Sequence, residues 1–377
     1  MNVAEQDALA IDAGRLRGAV AAIFVGAGCD EEEGARVARY LVESNLTGHD
    51  SHGVIRVPRY VHWLDTGAVH AGRHVKTVMD AGAVTVLDGD HGFGQTIGEE
   101  AITLGVEKAR EYGVAVVGLR NSGHLGRVGD WAELAAAHGL FSIHFVNTSG
   151  LGMLVAPFGG TERRMSTNPV CFGVPTPEGP PLVLDCATSI VAEGKVLVAL
   201  NGGKPLPEGS LIDRDGTLTT DPNAIYGTLD GTQPHDQRTG SAAVRAMGEH
   251  KGSGISIMCE LLAGALTGGG CGRTGHKTLE NNMLSILLEP ERFGTEALLW
   301  PELDRYVAFV RSARAAPGHE RVRLPGEPEE EMRALRRAEG IPLPRRVRSS
   351  LALTANSLGL KDVAAVFKPQ KQAGVSP

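Results

Sequence analysis

The chain has 377 residues, enough to bury a large core, and its 42% hydrophobic and 21% charged residues are globular in composition. A formal charge of -7 without any basic block argues against a nucleic-acid groove or an anionic membrane surface as the main partner. The five scattered cysteines, Cys29, Cys171, Cys186, Cys259 and Cys271, form no C-x-x-C pair and are expected to be reduced, and the start M-N-V-A-E-Q-D lacks the basic and apolar runs of a signal peptide, which predicts a cytoplasmic protein.

In chain order, apolar residues recur at helical spacing in Leu16, Val20, Ile23 and Phe24, and again in Val37, Tyr40, Leu41 and Leu46, predicting two N-terminal helices. They lead into G-H-D-S-H-G-V-I-R-V-P-R-Y at 48–60. V-K-T-V-M and A-V-T-V-L-D alternate like two paired strands, and a helix then runs to Gly113. The buried strand V-A-V-V-G-L empties into R-N-S-G-H-L-G-R-V-G, which is followed by a helix ending near Gly139 and by the strand F-S-I-H-F-V. Strand, polar loop, helix and strand in that order make a ligand-binding α/β unit, with His124 in the loop. V-C-F-G-V-P and P-L-V-L-D read as short strands before a helix starting near Ser189, and residues 201–241 read as a long ordered loop. The apolar helix S-G-I-S-I-M-C-E-L-L-A-G-A-L from Gly252 is expected to be buried, and M-L-S-I-L-L is a strand. The arginines Arg333, Arg336 and Arg337 read as a solvated helix face.

Three chemistries compete for the 48–60 stretch. His49 and His52 have ligand spacing, but zinc needs further ligands and no H-E-x-x-H or cysteine pair accompanies them. A serine nucleophile needs a G-x-S-x-G elbow, which the chain lacks. An alcohol-to-carbonyl reaction on an acid suits Ser51, His52 and Arg56: histidine carries a proton, serine orients it, and arginine grips a carboxylate through paired hydrogen bonds. The bland alternative is a loop whose histidine caps a helix starting at Pro58. His124, set among glycines after a strand, favours chemistry. The adjoining G-R-V-G offers backbone amides and Arg127 to nucleotide phosphates, although it is not the G-x-G-x-x-G of the usual dinucleotide fold. G-E-H-K-G-S-G at 248–254 is a second glycine-rich helix entry, where His250 and Lys251 strengthen the attraction for anionic groups.

Taken in order, G-H-D-S-H-G-V-I-R-V-P-R-Y, N-S-G-H-L-G-R-V-G, S-T-N-P-V-C-F-G-V-P, L-D-C-A-T-S, E-G-K-V and E-H-K-G-S-G resemble the motifs of the type 2 malate/L-lactate dehydrogenase-like family, nearest its hydroxycarboxylate dehydrogenase branch. The resemblance implies an α/β fold with a family-specific variant of nucleotide-binding architecture and a mixed sheet. It also implies a helical domain from 1–75 with 300–377, an NAD(P)-binding domain over 76–299, and a homodimer with its site near the subunit interface. The implied reaction interconverts 2-hydroxy and 2-oxo acids with NAD or NADP, without a metal. Malate or ureidoglycolate oxidation and cyclic imino acid reduction are the alternatives. His124 then matches the proton acceptor, His52 lies against nicotinamide and substrate beside Ser51, and Arg56, Thr167, Asn168 and Lys195 serve the substrate. Cofactor contacts carry over onto Gly126, Arg127 and Val128, onto Val183, Leu184, Asp185, Cys186 and Ala187, and onto His250 and Lys251. More loosely they reach Asn281 and Gly326, Glu327, Pro328 and Glu329. Lys195 resembles the hydroxy-acid branch rather than the imine reductases, and the segment Gly268 to Gly275 is shorter than in similar relatives.

Overall fold

The structure, a computed structural model, describes residues 7–200, 204–227, 238–275 and 278–369. Strand β1 (Leu9–Ile11) precedes helices α1 (Ala13–Gly26) and α2 (Glu31–Leu46). An aspartate starts each helix: Asp12 accepts from the Arg15 amide at 2.8 Å and Asp30 from the Glu33 amide at 2.7 Å. Their predicted apolar stripes face one another and are buried, except that Tyr40 packs on the neighbouring sheet core. Two 3-10 turns at 50–56 lead into α3 (Val57–Asp65), with Pro58 in its first turn.

The α/β layer is built from β2 (Lys76–Ala81), β3 (Val84–Asp88), α4 (Gly94–Tyr112), β4 (Val114–Ser122), α5 (Gly129–Ala137), β5 (Phe141–Ser149), β6 (Val170–Val174) and β7 (Leu182–Cys186). After β7 come α6 (Glu193–Leu200), β8 (Leu211–Ile212), β9 (Leu218–Thr219), the single turn α7 (Asn223–Tyr226) and β10 (Ala243–Val244). The described part of 201–241 is therefore not all loop: it holds β8 and β9, which form a small sheet with β10 and cover a third core around Val155, Leu211 and Tyr226. Residues 201–203 and 228–237 of that expectation lie outside the described residues.

Helix α8 (His250–Cys259) runs on as a π-helical segment, Glu260–Ala265, before β11 (Glu280–Leu288). The sheet is mixed, in the order β2-β3-β4-β11-β5-β6-β7. The strands flanking the His124 loop and α5 are thus not neighbours: β11 inserts between β4 and β5, antiparallel to both. Burial of the α8 helix is also corrected. Its inward face is small or polar (Gly252, Ser253, Ser256, Cys259, Glu260, Ala263), while Ile257, Met258, Leu261 and Leu266 stand 41–66% exposed. Small residues let the helix approach β5 and β11 closely, and that geometry turns the large ones outward.

The chain closes with α9 (Glu296–Arg311), α10 (Glu327–Glu339), β12 (Ile341–Leu343), α11 (Arg345–Ser357) and α12 (Lys361–Val366). β12 pairs antiparallel with β1, and Ile341, Leu343, Leu351 and Phe367 join the N-terminal helical core. No helix among the described residues is long and apolar enough to cross a membrane.

Candidate active site

Three elements bring the predicted chemistry together: the 3-10 turn Asp50–His52, the loop after β4, and the start of α6. The turn is held from below by Asp50, which takes two hydrogen bonds from Arg336 of α10 at 2.7 and 3.0 Å and one from Asn45 of α2 at 2.6 Å. Arg333 likewise binds Glu43 and Glu133 with its side chain 13% exposed. Only Arg337 of the three arginines is well exposed, at 59%, so the run is not a solvated face: it ties α10 to the site. From above, Gly194 of α6 packs so closely that an added Cβ would lie 2.2 Å from the Ser51 Cβ.

Within this frame the His52 and His124 rings stack, with centroids 5.7 Å apart and planes inclined by 8°. Ser51 Oγ and His52 Nδ1 share a 3.1 Å hydrogen bond, and Tyr60 Oη and His124 Nδ1 share one of 2.7 Å. The Gln95 amide donates to Tyr60 Oη at 3.3 Å, and Phe24, Trp63 and Phe93 enclose the phenol ring. Arg56 spends its Nε on the Ser51 carbonyl at 2.6 Å, which leaves its two Nη groups for a carboxylate. Because Arg56 holds the N-cap position of α3 and no side chain caps the helix, the reading of His52 as a mere helix cap is overturned.

Charge and burial set the protonation of these groups. Burial, reinforced by the charges of Arg56, His49 and Arg127, pushes His52 down to about 3. Burial, then Arg56, His52 and Arg59, holds His124 well below the ordinary histidine value. Both imidazoles are therefore neutral near pH 7, one nitrogen of each donating and the other accepting. Burial alone would raise Glu193, but Arg238 and then Arg56 and Arg59 pull it down to about 2, and Arg238 binds it directly through Nε at 2.9 Å.

The expected cofactor positions gather beside this pair. The backbone N–H groups of Gly126, Arg127 and Val128 meet no acceptor among the described residues, and they point from the start of α5. β7, holding Val183 to Cys186, is the edge of the large sheet, with Ala187 just past its end. Gly326, which starts α10 with φ +91°, lies against Pro181 and Val183, and Glu329 reaches His49 at 3.2 Å. Free amides, an open strand edge and a helix start fit a dinucleotide with its phosphates. Among the described residues no three His, Cys, Asp or Glu side chains converge as a metal site.

Several predicted residues stand elsewhere. The Arg127 guanidinium is 2% exposed and bound by Asp130 at 2.9 Å and by Glu133, so this position offers a phosphate its backbone, not its charge. Asn168 is fully buried, its amide donating to Glu260 at 2.9 Å and to Ser256 at 3.1 Å, so its side chain does not line a pocket, while Thr167 is partly exposed. Asn281 is 3% exposed and committed to internal partners. Glu327 is held by Arg311 at 2.7 Å and by Arg321 at 2.8 Å. Lys195 is exposed on α6, and His250 and Lys251 open α8, with the His250 ring edge-on to Phe158.

Sequence reasoning passed over Tyr60, Gln95 and Glu193 as site residues. Tyr60 carried a usable signal, because in a helix opened by Pro58 it follows Arg56 at i+4 on one face. Gln95 and Glu193 gave none, since their roles exist only through contacts distant in sequence.

Residues 11–352 match the profile of the malate/L-lactate dehydrogenase family. Hydroxycarboxylate dehydrogenase B of Escherichia coli K12 is 40% identical over 362 residues, 93% of this chain and 95% of that protein. An L-lactate dehydrogenase of Cupriavidus necator H16 is 40% identical over 306 residues, 79% of this chain and 83% of that one. The solved structure of malate dehydrogenase from Pyrococcus horikoshii OT3 superposes with a TM-score of 0.82 at 28% identity, covering 94% of this chain and 97% of that one.

Proposed function

The chain belongs to the malate/L-lactate dehydrogenase family, a family of 2-hydroxy acid oxidoreductases, and from that premise we propose that Arg56, His124, His52 and Ser51 carry its reaction. The enzyme interconverts a 2-hydroxy acid and a 2-oxo acid with a nicotinamide cofactor. When bound, the nicotinamide accepts or returns a hydride at its C4.

Arg56 holds the substrate carboxylate through its two Nη groups. In oxidation His124 takes the hydroxyl proton on Nε2, while its Nδ1–H donates to Tyr60 Oη and fixes both ring orientation and tautomer. With Ser51 donating to His52 Nδ1, the Nε2–H of His52 points its dipole at the same substrate oxygen and stabilises charge there. The observation that carries this reading is the stacked pair of neutral imidazoles beside a half-buried, partly uncommitted arginine. Amides of 126–128, the edge at 183–187 and the α10 start at 326–329 are our assignment for NAD or NADP.

We assign the chain to the cytoplasm and to a homodimer, and we divide it into a helical domain, 1–75 with 300–377, and a nucleotide domain, 76–299. Support for a second copy comes from α9, none of whose described side chains is buried, and from the exposed apolar face of α8.

The test is nicotinamide absorbance on mixing the purified protein with NADH or NADPH and a panel of 2-oxo acids, with a cyclic imino acid and ureidoglycolate oxidation included. Turnover of a 2-oxo acid is expected. Replacing His124 with Ala should then lower kcat by roughly 100- to 10,000-fold while cofactor affinity is retained. Wild-type turnover in that variant removes His124 from the mechanism.

A further inference from the structure

β4 and β11 run in register from Val114 opposite Leu288 until β4 gains an extra residue, with Arg120 and Asn121 both facing Asn282, beside the His124 loop. β11 itself stays in register with β5 from Glu280 to Leu288, so the bulge re-aims β4 and leaves Asn281 and Asn282 on opposite faces of their strand. Here both asparagines serve one loop. Asn282 Oδ1 accepts the Asn121 amide at 3.0 Å, where the loop begins, and Asn281 Oδ1 accepts the Leu125 amide at 2.9 Å, directly after His124. Asn121 itself sits at φ +54°, a conformation that costs energy in a residue with a side chain and needs such support.

The pair is anchored inward. Asn281 donates to the Asn147 carbonyl at 3.2 Å and to Thr148 Oγ1 at 2.8 Å, and Asn282 donates to Asn147 Oδ1 at 2.9 Å. Asn147 in turn donates to the buried carboxylate of Glu260, at 3.0 Å, in the π-helical segment after α8. Glu260 also accepts from Asn168 at 2.9 Å and from the Gly272 amide at 3.0 Å. Gly269 closes the arrangement: an added Cβ would lie 2.0 Å from Asn282 Oδ1. With both its N–H groups and its oxygen engaged inside the protein, Asn281 has no hydrogen left to offer a cofactor.

We propose that Asn281 and Asn282 are positioning residues that clamp both ends of the loop bearing His124, with Glu260 as their buried anchor. The inference rests on His124 being the proton acceptor.

The experiment measures kcat, cofactor Kd by nicotinamide fluorescence, and Tm for the Asn281→Leu, Asn282→Leu and Thr148→Val variants of the full chain. Asn281→Leu should lower kcat by about 10- to 100-fold, the scale of a small misplacement of a reacting group, with cofactor Kd within about twofold of the parent. Thr148→Val, nearly isosteric and missing one hydrogen bond to Asn281, should lower kcat by about 3- to 10-fold, and it decides the matter if the leucine variants do not fold. Weakened cofactor binding with saturated kcat intact overturns the clamp, and so does parental kcat in a folded variant. His124→Ala separates the two failures: an inactive alanine variant beside unaffected asparagine variants defeats the clamp alone, whereas an active one defeats the functional reading beneath it.

Discussion

The role proposed for His124 depends on an imidazole that is neutral before the substrate arrives. Its pKa lies well below 6.5 chiefly because the ring is buried, and secondarily because Arg56, His52 and Arg59 surround it. A base with a depressed pKa stays competent as pH falls, until the pH crosses that lowered value. The acid limb of kcat/KM for oxidation, which reports the free enzyme, should therefore lie well below pH 6.5. A limb at the ordinary histidine value would contradict the burial and charge described here. On the proposed reading substrate would work in the opposite sense, since a carboxylate neutralising Arg56 would remove one cause of the depression and ready His124 to hold the proton. The proposed set Ser51, His52, Arg56 and His124 could be picked from the sequence because small polar groups confined among glycines have little packing role. Tyr60, Gln95 and Glu193 were not, because a tyrosine in an amphipathic helix and a glutamate at a helix start are ordinary until their partners are known.

Among the elements, α6 shows how tightly the site is assembled. Its first turn lies against the Ser51 turn at Gly194, where a methyl group has no room. Gly194→Ala should displace Ser51 and His52, lowering kcat at least tenfold and costing about 1–3 kcal/mol of stability, as overpacking does. Gly18 of α1 is the control, since an added Cβ there meets nothing within 4 Å and alanine should stabilise the helix by about 1 kcal/mol. Chemical denaturation and steady-state kinetics on the two variants check both outcomes, and an active Gly194→Ala enzyme would refute the close packing. The strands and helices of the α/β layer followed from their periodicity. Two readings failed for the same reason. The arginines of α10 and the apolar side of α8 were judged by composition, yet the partners of the arginines are Glu43, Glu133 and Asp50, and α8 turns its small side inward.

For the whole molecule, α9 poses the sharpest physical problem. A helix of 16 residues with Leu298, Tyr306 and Phe309 exposed by 72, 59 and 67% gains little from its own chain, and isolated helices of that length are marginal in water. The proposed homodimer would resolve this by covering α9. Sedimentation equilibrium should find a dimer, and Leu298→Glu with Phe309→Glu should shift it towards monomer; a monomeric parent protein would refute the assignment. The sequence alone determined the α/β class, the family and the residues proposed here as acid, base and carboxylate groups, because those are written in local periodicity and in polar residues held by short motifs. Only the tertiary structure decided that β11 separates β4 from β5, that Tyr60 holds His124, and that Arg127 turns inward. Each of those outcomes depends on contacts between residues far apart in the chain, and their energies exist only once the backbone has brought them within hydrogen-bonding or packing distance.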